Sequence, residues 1–293
     1  SFINQLTQSL RFNISIHILS GLMLFFLFYL LLSNLKKESF FKKNALYIAC
    51  TTSALFLLHP IQTQTISYVI QGQLEGLATF FIVFLCLMLT LFAKSKNLFL
   101  KVVYLALFFN IGLFACGSKE IAIMSPILIM ILDWFFIAQG DWNDFKKRLP
   151  IHICFLSIIA YEYIRFLKPS FFKEAVMMEK TTRNNIGNVL NDHYHQPIKA
   201  APFFISQFKV ILHYIWIFIW PFNISVEYDW RMVASFFSPD CIFPFLILVC
   251  VAALLINLLR KDKNNFIAFG IIWFFLGLAP RTTFIPSSEL MDD

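Results

Sequence analysis

Asn13 and His17 stand four residues apart, so they place an amide and an imidazole on one face of a helix inside an apolar run. Lys119 and Glu120 set opposite charges at the start of another such run, where a carboxylate complements the positive end of the helix dipole and the two can neutralise each other. His59-Pro60 closes a third run and Glu75 opens a fourth, with Gln62, Gln64, Gln71 and Gln73 between them. Glu162 and Arg165, spaced i,i+3, read as a structural ion pair. Farther along come Lys173, Arg183, Asp192, His193 and His195, then Glu227, Asp229 and Arg231, then Arg281, Glu289, Asp292 and Asp293. Such groups can hold an anion or move a proton. Asp192-His193-Tyr194-His195 has the look of a metal pair, but no third ligand is evident and no divalent metal is expected. The chain has no GxSxG, P-loop, GxGxxG or HExxH, which leaves chemistry on soluble nucleotides unsupported.

The elements that carry these residues are set by composition. Of 293 residues 59% are hydrophobic and 14% charged, Phe alone accounts for 37, and the net charge is +7. Soluble domains hold about 25% charged residues, so a soluble globular enzyme, a nucleic-acid binder and a disordered chain are all excluded. Backbone groups in lipid must be satisfied within the segment, which makes long apolar runs helices. Apolar runs near 14–34, 45–60, 75–93, 99–116, 120–138, 150–167, 241–259 and 265–280 predict eight spans, and 203–221 adds a doubtful ninth. Gln207, Lys209 and His213 within 203–221 favour an interfacial or re-entrant helix there. The expectation is an all-α, polytopic helical membrane protein of about 8–9 spans in a single domain over 1–293, with 168–202 as its longest polar loop. Cys50, Cys86, Cys116, Cys154, Cys241 and Cys250 lie in apolar runs and form no CxxC, so they read as small apolar residues.

Loops 35–44, 94–101, 140–149 and 260–264 carry the clustered Lys and Arg, while loop 61–74 carries none. The positive-inside rule places the four basic loops in the cytoplasm as plain anchors. The less ordinary polar residues then share the outer face. Ionisable groups at a membrane edge mark a cavity or site, so a polar chamber open to the outside is expected.

Five stretches carry a resemblance: "NISIHILSGL" (13–22), "LLHPIQTQTISYVIQGQLEGLATFF" (57–81), "CGSKEIAIMSPILIMILDW" (116–134), "SQFKVILHYIWIFIWPFNISVEYDW" (206–230) and "APRTTFIPSSELMDD" (279–293). In this order they resemble the membrane part of the transmembrane and tetratricopeptide-repeat O-mannosyltransferases and their bacterial relatives. The resemblance implies a GT-C glycosyltransferase fold and transfer of a sugar from a polyprenyl-phosphate donor to a protein or glycan hydroxyl on the periplasmic or lumenal face. Its partners would be membrane lipid, the lipid-linked sugar and the acceptor. A bacterial inner membrane fits better than the endoplasmic reticulum, because 57–81 is most similar to the bacterial relatives. Donor phosphate and substrate binding would fall to Lys119, Glu120, His59, Glu75, Asn13, His17, Arg281, Glu289 and Asp229. Lys119 and Arg281, with Arg183 or Arg231, would neutralise the phosphate. The family's catalytic acid lies in its first outer loop. This sequence starts at the helix that matches the family's second span, so that loop and the first span are expected upstream, making this a partial GT-C fold. It also has Gly72-Gln73 before Glu75, where relatives often carry a basic residue. The alternatives are a lipid-linked glycan transporter, flippase or polymerase, and a non-catalytic membrane anchor.

Overall fold

A computed structural model describes residues 2–166 and 200–282, apart from 223, 226, 227, 229, 231, 234 and 281. The described residues are helical and contain no strand. The helices are α1 (Phe2–Ser33), α2 (Phe40–Lys43), α3 (Ala45–Leu58), α4 (Thr63–Ser67), α5 (Val69–Lys94), α6 (Leu98–Cys116), α7 (Ser125–Leu132), α8 (Trp142–Lys146), α9 (Leu149–Phe166), α10 (Ala200–Ile219), α11 (Pro239–Lys261) and α12 (Phe266–Leu278). A 3-10 turn, Glu120–Met124, leads into α7, and a π turn, Asp133–Ile137, leads out of it.

Five helices are long and apolar enough to cross a membrane: Leu6–Ser33, Gln73–Lys94, Leu98–Cys116, Ala201–Ile219 and Pro239–Lys261. A sixth arises if Ala45–Leu58 and Pro60–Ser67, bent by 47°, form one span. The eight to nine crossings read from the sequence are not reached by this measure, because several apolar runs are broken. Pro60 ends α3 after 14 residues, about 21 Å of helix against a hydrocarbon core of about 30 Å. The run 120–138 is divided among 3-10, α and π turns, and α12 has 13 residues.

The four basic loops meet at one end of the bundle. Gln139 Oε1 accepts from the Lys36 amide at 2.7 Å and Gln139 Nε2 donates to Asn34 O at 3.2 Å. Lys94 Nζ reaches Leu30 O, Phe41 packs edge-on against Phe266, and a Cβ on Gly140 would touch Asn264. Helices that start here are capped by side chains that satisfy the free amides of a first turn. Ser39 accepts from Lys42 N, Asn97 from Phe99 N and Leu100 N, Asp141 from Asn143 N, and Asn265 from Ile267 N and Ala268 N.

α1 packs against α3 and α5, α5 against α6, and both α6 and α7 against α9; α12 joins α7 to α11. The core holds Leu31, Leu85, Leu89, Phe108, Ile129, Phe155 and Ile159. Lipid removes most of the hydrophobic drive between spanning helices, so close contact must come from small residues and hydrogen bonds. Gly21 meets Leu57 and accepts from Ser53 Oγ at 2.6 Å, and Gly112 receives the Phe155 ring.

α10 departs from end-to-end packing. Near its start Ile205 O accepts from Cys241 Sγ, in the first turn of α11, at 3.8 Å. Near its finish Phe218 O accepts from His59 Nε2, just past α3, at 3.0 Å. The start of α3 and the finish of α11 both belong to the basic end, so both contacts of α10 belong to the opposite end. α10 has the length and composition of a span, yet it lies against one end of the bundle.

Candidate functional site

The end opposite the basic loops is assembled from α1, the turn 59–68, α5, the turn before α7, and α10. Asn13 Nδ2 donates to Tyr68 O at 3.0 Å and to Ile66 O at 3.4 Å. One turn on, His17 Nε2 donates to Leu57 O at 3.2 Å, and its ring stacks on Phe56 with centroids 4.9 Å apart. Both side chains are buried. The shared face foreseen for this pair therefore binds carbonyls around the break between α3 and α5.

His59 does the same for α10. Its Nδ1 accepts from Ile61 N at 3.2 Å and its Nε2 donates to Phe218 O, with the ring stacked on Phe218 at 5.6 Å. An amide that can only donate and a carbonyl that can only accept fix the proton on Nε2.

Glu75 and Lys119 form an ion pair with side chains 16% and 13% exposed. Lys119, extended at φ −157° and ψ 154°, stands at the N-cap of the 3-10 turn and projects across to α5. The sequence paired Lys119 with Glu120. The structure brings Lys119 to Glu75, because α5 and α6 pack side by side. The charge offered to a phosphate is therefore already balanced, and an anion there must displace a carboxylate.

Asn13, His17, His59, Glu75 and Lys119 thus gather at one end. The Glu120 side chain, Arg281, Glu289 and Asp229 lie outside the described residues, as do Arg183, Asp192, His193 and His195. Glu162 and Arg165 approach to 4.0 Å on an exposed face, as their spacing implies.

The tightest polar cluster was not foreseen and sits at the other end. Asp133 is completely buried, Arg148 is 7% exposed and His152 1% exposed. Arg148 Nε donates to both Asp133 oxygens at 3.0 and 2.9 Å, and a terminal guanidinium nitrogen reaches Oδ1 at 2.8 Å. His152 Nε2 lies 2.7 Å from Oδ2. Asp144 adds a looser contact to Arg148 at 3.4 Å. Burial pushes the Asp144 carboxyl up, but the Arg148 charge and hydrogen bonds from Lys147 and Arg148 outweigh it and hold it below its ordinary value. The π turn aims Asp133, its carbonyl accepting from Ala138 N at 2.7 Å; such turns recur at functional sites. Loop 140–149 is therefore more than a Lys-rich anchor. An Asp inside an apolar run, which needs a partner, was the signal available.

The fold and these contacts define an all-helical integral membrane protein. Comparison with protein-family models, with curated proteins and with solved structures finds no match.

Proposed function

We propose that this chain is the membrane part of a GT-C glycosyltransferase of eight or nine crossings, which moves a sugar from a polyprenyl-phosphate donor to a protein or glycan hydroxyl. The reading places it in a bacterial inner membrane with its site facing the periplasm. The observation that supports it most is spatial. Four of the five family-like stretches, far apart in sequence, meet at the end opposite the basic loops through the Asn13–Tyr68, His59–Phe218 and Lys119–Glu75 contacts. In this reading Lys119 exchanges Glu75 for the donor phosphate as the sugar leaves, and charge-assisted bonds of this type are the strong ones. Asn13 and His59 act as positioning residues that hold the 59–68 turn and α10 around the substrate.

The test is transfer of a labelled sugar from a polyprenyl-phosphate sugar by membranes carrying the complete protein. Lys119→Ala is expected to lower kcat/KM by about a hundredfold, the worth of about 2.7 kcal/mol of charge stabilisation. Normal transfer by Lys119→Ala and Glu75→Gln would place the chemistry elsewhere. The prior pairing of Lys119 favours one second reading, a non-catalytic anchor in which the pair is structural. In that case a Glu75→Gln/Lys119→Met double variant keeps whatever activity its membranes have.

A further inference from the structure

α10 and α11 enclose an open groove of about 680 Å³. Its walls are apolar, with Leu212, Trp216, Phe243 and Ile247 facing the opening. Among the described residues, its charged side chains stand at one extremity. Lys209 Nζ is 3.6 Å from Asp240 Oδ1 and 5.0 Å from the centre of the Trp230 ring. His213, one turn along α10, is wedged against Tyr228 and Trp230 with ring centroids 4.9 and 4.8 Å away. Its Nε2 is buried and has no hydrogen-bond partner among the described residues.

The groove follows α10 from Lys209 to Ile219, about 15 Å at helical rise. An apolar slot of this length with polar groups at one mouth has the outline of a lipid chain and its head. The mouth also specifies the head. Lys209 asks for an anion, and the loosely held, 69% exposed Asp240 side chain asks for a cation a short distance away. A purely anionic head would meet the Asp240 carboxylate. A choline head has no N–H to give it. A phosphoethanolamine head satisfies both, its phosphate on Lys209 and its primary ammonium on Asp240.

We propose that this groove is a binding site for a glycerophospholipid with a phosphoethanolamine head. The site is separate from the one assigned to the sugar donor. Lys209 lies nine residues, about 14 Å of helix, from Phe218, where α10 is tied to His59. The bound lipid would pin α10 across the end of the bundle and so hold His59 in place.

The experiment is native mass spectrometry of the purified complete chain with phosphatidylethanolamine, phosphatidylcholine or phosphatidylglycerol of identical acyl chains, and with a polyprenyl phosphate as competitor. One phosphatidylethanolamine should be retained about tenfold more tightly than the other two. Lys209→Gln and the groove-filling Leu212→Trp should each lower retention of all three. Asp240→Asn, at a position 69% exposed, should remove the preference for ethanolamine over choline while retention continues. Equal retention of the three lipids, or an unchanged preference in Asp240→Asn, would overturn the proposal. Displacement by polyprenyl phosphate would overturn it too and return the groove to the donor. Loss of sugar transfer in Lys119→Ala bears on the donor site alone, so the two readings fail independently.

Discussion

Replacing Asp133 by Asn tests whether the buried cluster holds the basic end together. The substitution keeps volume and removes charge. Arg148, with a side chain 9% exposed, then keeps only the 3.4 Å contact to Asp144, and His152, 1% exposed, faces an amide. Both Asp133 oxygens serve Arg148 and one also serves His152, so a single change weakens every bond that Asp133 makes. Removing one partner of a buried pair costs about 3–5 kcal/mol, because the other charge is left uncompensated. At about 2–4 °C per kcal/mol for a large domain, the apparent Tm should fall by about 6–20 °C. The assay is the loss of the monodisperse size-exclusion peak after stepwise heating in detergent. A triple variant, Asp133→Leu/Arg148→Met/His152→Phe, separates charge from packing, since apolar replacement of a complete buried pair is often neutral. It should recover most of the loss. If Asp133→Asn stays within about 1 kcal/mol of the parent, or the triple variant falls as far as the single one, the cluster is not what joins the π turn to α9.

Four further outcomes follow from the same contacts. Asp144→Asn should cost at most about 1 kcal/mol, as a partly exposed pair does. Because its folded pKa is lowered, that contribution is complete above the ordinary carboxylate value of 3.8 and is lost as pH falls through the folded value, so the two melting curves should converge only in acid. Gly112→Ala drives a methyl into the Phe155 ring, whose Cζ is already 3.0 Å from the Cβ position, and should cost about 1–3 kcal/mol by thermal melt, with Phe155→Leu restoring part of it. Asn13→Leu strips the partly buried Ile66 and Tyr68 carbonyls of a donor, at about 0.5–1.5 kcal/mol, and should speed amide exchange in 59–68 before it affects the basic end. In a variant without the six cysteines, Cys at Lys96 and Cys at Thr63 should react with a membrane-impermeant thiol reagent from opposite sides; labelling from the same side would refute the orientation.

What the sequence disclosed was mainly what position along the chain encodes. The clustering of Lys and Arg in alternate loops foretold that 35–44, 94–101, 140–149 and 260–264 would lie together. The spacing of Asn13 and His17 foretold their common face. Pairings that depend on lateral packing were hidden. Glu75 lies 44 residues from Lys119, and only the side-by-side placement of α5 and α6 makes them neighbours. Asp133 and Arg148 were visible as types, but a lone Asp in an apolar run and an Arg in a basic loop look unrelated until a π turn rotates one toward the other. By length and composition the described residues give five spans, or six with the bent pair, for a similar reason: hydropathy along the sequence sees composition and misses the breaks at Pro60 and around Ser125-Pro126.

The Gln139 clip sets a timetable for biogenesis. Gln139, at φ 54°, has the only positive φ of a non-glycine residue among the described ones, and it satisfies a carbonyl and an amide at the end of α1. The clip spans 103 residues. At synthesis rates of about 5–20 residues per second, α1 waits about 5–20 s for its latch. During that interval the polar backbone around Asn34 and Lys36 must be served by interfacial water. α1, α3, α5 and α6 are thus committed to the bilayer while the seam at the basic end is still open, and translation past Gln139 is the event that can close it.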